Sequence, residues 1–122
     1  MDHKILVSVK THYLADQTLP KQRYVYSYTI TIANEGDEPA QLISRHWLIR
    51  DSQNNLQEVQ GIGVIGEQPY IGPGTSYTYT SGVVLETETG MMEGTYQMRA
   101  ESGETFDAEI PTFALVPPYA VH

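Results

Sequence analysis

The chain has 122 residues, fifteen acidic against seven basic, for a formal net charge of -8. That balance repels phosphate backbones and offers few cations to displace counterions, which excludes nucleic acid as a natural partner. Cysteine is absent, which excludes a disulfide framework, a thiolate metal site and a cysteine nucleophile, and suits a reducing cytoplasm. Residues 1–10 lack the apolar core and cleavage site of a secretory signal, and no run approaches the ~18 apolar residues of a membrane span. The expectation is a cytoplasmic protein, one domain over 1–122, that does not insert in a membrane.

The elements read as strands, with little room for helix. Ile5, Val7 and Val9 alternate with Leu6, Ser8 and Lys10, the period of a half-buried strand over 5–10. Residues 24–33 are the strongest run, with Tyr24, Tyr26, Tyr28, Ile30 and Ile32 on the face that should meet the core. N-E-G-D-E-P at 34–39 is a turn with a glycine available for positive φ. The strand over 41–50 places Ile43, Arg45, Trp47 and Ile49 on one face, with Trp47 as core anchor. A turn at 51–55 leads to a short strand, 56–60, which runs into the glycine-rich stretch 61–82 around which the chain is arranged.

Within that stretch Gly61, Gly63 and Gly66 match G-x-G-x-x-G, the spacing with which some loops bring backbone amides against a pyrophosphate. The context is wrong for it. Such a site needs a helix opening at the third glycine, whereas Pro69 and Pro73 follow at once and 75–80 alternates tyrosine with threonine as a strand. Nucleotide or pyrophosphate binding by a sensor or hydrolase therefore stands as the alternative to a loop that serves structure or a partner. I-G-P-G at 71–74 reads as a tight turn with positive φ open on either side. Beyond a looser link, 83–90, strands are expected at 94–100 and 105–110, joined by a hairpin at 101–104. Pro111 should interrupt the ladder and make 112–116 an edge continuation or a strand that changes sheets. About seven short antiparallel strands give an all-β, two-layer sandwich.

S-R-H-W at 44–47, G-x-G-V-x-G-E-Q-P at 61–69, P-G-x-x-x-x-Y-T-S-G at 73–82 and G-x-Y-x-M at 94–98 stand in one order, and with them nearly the whole chain resembles the ApaG family. The resemblance implies an immunoglobulin-like or fibronectin type III-like sandwich in a bacterial protein linked by name to cobalt and magnesium efflux. Related domains in some F-box proteins and in a polymerase-interacting protein imply a binding module with a protein partner. Carried over from the resemblance, Gly61, Gly63, Gly66, Glu67 and Gln68 are the candidate binding residues, with Glu67 and Gln68 at the loop's tip. Val64, Ile65 and Tyr70 either cap the core or project towards a partner.

Catalytic and metal chemistry find little footing. Ser44 and His46 share a strand face about 7 Å apart, too far for a nucleophile and its base, so no catalytic residue is assigned and the chain reads as a non-enzyme. His3, His12, His46 and His122 show no ligand spacing, so no metal site and no cofactor is expected. His46 is read as a hydrogen-bonded structural histidine. The flanking strands 5–10 and 112–116 carry only lysine and proline as edge protection, which points to a homodimer through a strand edge.

Overall fold

The structure, a computed structural model, describes residues 4–120. Seven long strands and one of two residues form two antiparallel sheets. β1 (Ile5–Tyr13), β2 (Tyr24–Asn34) and β6 (Ser76–Leu85) make a three-stranded sheet in the order β1-β2-β6. β3 (Ala40–Asp51), β4 (Leu56–Ile62), β7 (Gly90–Ala100) and β8 (Thr105–Leu115) make the other in the order β4-β3-β7-β8, and β5 (Tyr70–Ile71) pairs with the start of β3. Three strands packed on four, with chain connections crossing between the layers, is the arrangement of a fibronectin type III-like sandwich. Across one open side β1 packs on β8.

The strand periodicity decides the core. Tyr26, Tyr28, Ile30 and Ile32 of β2 are buried as their alternation requires, against Trp47, Met92, Tyr96, Met98 and Leu115 of the facing sheet. Trp47 is 2% exposed and sits among Tyr28, Phe113 and Tyr96 at ring-centroid distances of 5.4, 5.9 and 6.5 Å, each edge to face. The hydroxyls of Tyr79 and Tyr96 bond each other at 2.5 Å inside the core, so neither is left unsatisfied.

Burial pushes both phenols above their ordinary range. A raised folded-state pKa means stability that is intact below the unfolded tyrosine value of about 10 and lost as pH climbs past it. Alkaline titration is therefore expected to unfold the domain cooperatively above about pH 10, with tyrosinate absorbance and loss of sheet circular dichroism rising together. Ionisation of every tyrosine with the sheet signal intact would contradict it.

Two elements differ from the sequence reading, and a third follows one of its alternatives. In β3 the inner face changes parity: Ala40 and Leu42 are buried, then Trp47 and Ile49, while Ile43 is not. The register with β7 runs Leu42 opposite Met98 but Ser44 opposite Gln97, so Ile43 is one extra residue in a β-bulge, and alternation restarts beyond it. β6 continues through Val83 to a buried Leu85 where a loose link was expected. At Pro111 the ladder is interrupted and β8 runs on as an edge continuation, the first of the two expected outcomes. Met92 faces Phe113 and Gly94 faces Ile110, so the proline lies in a second bulge on an edge strand, where its missing N–H costs no ladder bond.

Candidate functional site

The bulge at Ile43 builds the site. It turns the Ile43 carbonyl outward, where it accepts from the Gly63 amide at 2.8 Å and from Gln68 Nε2 at 2.9 Å. The Leu42 N–H donates to Pro69 O at 3.0 Å and Gln41 Nε2 to Gln68 O at 3.2 Å. Both ends of the glycine loop are thus tied to the same few residues of β3. Arg45, on the inner face, lays its guanidinium across Gly61 and donates through Nη1 to Ile62 O at 3.2 Å and Gly63 O at 2.8 Å. On the other side Tyr77 of β6 donates to Glu67 Oε2 at 3.1 Å.

Between these anchors the chain makes a two-residue hairpin. Val64 N–H donates to Glu67 O at 2.8 Å and Glu67 N–H returns to Val64 O at 3.0 Å, with Ile65 at φ 48° and Gly66 at φ 75°. Positive φ at both central residues is a type I′ turn. Val64 is buried as a plug in the core, whereas Ile65 at the tip is 58% exposed and Ile62 and Tyr70 are each 76% exposed. A second turn, Gly72 to Thr75 with Gly74 at φ 75° and a 3.1 Å bond from Thr75 N–H to Gly72 O, closes the segment as type II. Only the glycine after the proline is left-handed there; Gly72 is not.

The three glycines of the motif have local reasons. A Cβ at Gly61 would meet the Arg45 guanidinium at 2.8 Å, so the position must be bare for the arginine to pass. At Gly63 a Cβ would run into the Glu67 carbonyl, and the backbone is left-handed at φ 65°. Gly66 supplies the second left-handed residue of the turn, in open space. The amides of Gly63, Val64 and Glu67 are all spent within the protein, and a β-hairpin stands where a phosphate loop would open a helix. The structure also moves the tip: it is Ile65 and Gly66, while Glu67 and Gln68 point back to Tyr77 and Ile43. The sequence reading missed Ile62 as an exposed apolar neighbour and Arg45 as the loop's strut; the bare glycine opposite an arginine in register, Gly61 against Arg45, is visible only once strands are paired.

Away from the loop, the serine and histidine weighed for catalysis have separate partners. Ser44 Oγ bonds Gln97 Oε1 at 2.8 Å and His46 Nε2 meets Glu58 Oε2 at 2.5 Å on the solvent face, so serine and histidine are engaged with other partners and not with each other. His46 is hydrogen-bonded as expected. His3 and His122 lie outside the described residues. Among the described residues no group of three or more histidines, aspartates or glutamates is placed to hold a metal ion. Among the described residues no helix is long and apolar enough to cross a membrane.

The fold and the loop define a β-sandwich of the fibronectin type III-like class carrying a braced, glycine-rich hairpin on its β4–β5 edge. Residues 15–100 match the family model described as the ApaG domain, and the chain belongs to that family. A protein ApaG of Ectopseudomonas mendocina is 54% identical over 121 residues, covering 98% of this chain and 96% of its own; one from Thiobacillus denitrificans is also 54% identical, covering 98% and 95%. Among solved structures, an X-ray structure of a structural-genomics target superimposes with a TM-score of 0.94 at 49% identity, over 100% of this chain and 93% of that one. A crystal structure described as an ApaA protein of Bordetella pertussis gives 0.92 at 45% identity, covering 95% of each.

Proposed function

We propose that this chain is a non-catalytic protein-interaction module of the cytoplasm whose glycine loop is a rigid recognition surface. The observation that carries the reading is Ile65: a β-branched residue in left-handed conformation at the tip of a type I′ turn, with its side chain in solvent. That conformation costs a β-branched residue roughly 1–2 kcal/mol, and asparagine or glycine would form the same turn without the cost. Strain held at an exposed apolar tip supports a contact role for that residue. Ile62 and Tyr70 extend the apolar surface, and Gln41, bonded to Arg99 at 3.3 Å, lies beside Tyr70 in register as a polar rim. The partner is a protein, neither nucleic acid nor membrane, and any link to cobalt or magnesium homeostasis runs through that partner and not through an ion held by this chain.

The test separates strain from contact. Ile65→Asn should raise stability by roughly 1 kcal/mol by relieving the left-handed isoleucine, and should at the same time reduce capture of native-cytoplasm proteins by the tagged domain, as should Tyr70→Ser with its melting temperature unchanged. Unaltered capture by both variants would sink the loop as the binding surface. Nucleotide or pyrophosphate binding remains the second reading; it predicts a melting-temperature shift with ATP that Ile65→Asn leaves in place.

A further inference from the structure

We propose that β6 is a self-association edge, pairing antiparallel with β6 of a second copy about a two-fold axis at Thr80. The sandwich has several outer strands, and all but one are blunted. β1 carries Lys10, β8 carries Pro111 and a bulge, and β5 has two residues. β4 carries Glu58 and is crossed at its end by the Arg45 guanidinium, which caps Ile62 O. These are the devices by which soluble sheets avoid edge-to-edge pairing. β6 has none: residues 75–85 contain no charge and no proline, and ten consecutive positions pair with β2 without a register shift.

The phase of the ladder identifies the free groups. The Asn34 N–H donates to Thr75 O at 2.9 Å, and bonded and non-bonded pairs alternate along antiparallel strands. Tyr77, Tyr79, Ser81, Val83 and Leu85 therefore bond to β2, which turns the N–H and C=O of Ser76, Thr78, Thr80, Gly82 and Val84 to the outer edge. The side-chain bonds Thr31–Thr78 and Thr29–Thr80, at 3.0 and 2.8 Å, fall at the non-bonded pairs, where side chains approach most closely. On the β1 side the Glu35 N–H bonds Lys4 O at 2.7 Å, which gives β2 the opposite parity towards β1 and so fixes the same phase independently. Among the described residues nothing else bonds this outer row.

A second copy satisfies that row completely. With the axis at Thr80, Thr80 faces Thr80, Thr78 faces Gly82 and Ser76 faces Val84, so each outward residue meets another outward residue and no charge faces a charge. The two three-stranded sheets become one of six strands. A basic peptide would find no acidic side chain on β6 to select it, whereas the register is complementary to itself. Because each copy carries -8, the long-range term opposes association through an uncharged strand, and screening strengthens the dimer as salt rises.

The experiment is sedimentation equilibrium of the full chain at about 0.05 M and about 0.5 M salt, with backbone amide exchange read at low and high protein concentration. Dimer is expected, at least tenfold tighter at the higher salt, with concentration-dependent protection of the Ser76, Thr78, Thr80, Gly82 and Val84 amides. Thr80→Pro removes an N–H that β2 does not use and should give monomer; Thr80→Lys, which sets like charges opposite each other, should do the same with the sheet intact. A strict monomer at high protein concentration in both salts would overturn the proposal. So would a dimer that resists Thr80→Lys and is broken instead by Thr11→Pro on β1, or one in which the β6 amides exchange equally fast at every concentration.

Discussion

Replacing Trp47 with alanine is expected to destabilise the sandwich by about 3 to 5 kcal/mol, the cost of emptying a large aromatic site. The indole is at the point where the two sheets meet: Tyr28 reaches it from β2, Tyr96 from β7 and Phe113 from β8. Removing it strips three edge-to-face contacts at once, and none of the surrounding rings can fill the space without leaving its own strand position. Denaturant unfolding of the variant against the parent measures the loss. As the sole tryptophan, Trp47 also reports on itself, and native emission resembling free tryptophan in water would contradict its burial.

Gly63→Val is the second large effect, with an expected loss of at least about 2 kcal/mol. Two costs fall on one position: a β-branched residue forced to φ 65°, and a Cβ driven into the Glu67 carbonyl. The chain can escape only by abandoning the Gly63 to Ile43 bond, which also frees Val64 from the core. Loop recognition should therefore be lost together with stability, unlike Ile65→Asn, where the two move in opposite directions. A Gly63→Val protein that melts with the parent would show that the loop is not braced as described.

How much of this the sequence disclosed depends on whether the cause was local. The period-two runs of β2 and β7 made a sandwich readable, and the lone tryptophan in an alternating strand marked the core, because burial of one face is a property of the strand itself. The bulge at Ile43 was hidden, since Ile43 and Leu42 are equally apolar and only pairing with β7 shows which of them is the extra residue. The I-G-P-G turn was legible from its proline. The turn at 64–67 was not, because isoleucine at a left-handed position contradicts the propensity by which such turns are recognised. β6 as an outer strand was likewise invisible, because strand order is a long-range fact.

The central claim, that the glycine loop is a braced recognition hairpin and not a phosphate cradle, is tested most directly by following backbone amide resonances during titration with ATP and with inorganic pyrophosphate. The account predicts no saturable movement of the Gly61, Gly63, Val64, Gly66 or Glu67 amides, because those of Gly63, Val64 and Glu67 are already bonded to Ile43 O, Glu67 O and Val64 O and the loop runs from strand to strand, β4 to β5, with no helix between them. Saturable shifts confined to these amides, abolished by Gly63→Val in a protein that still folds, would contradict it.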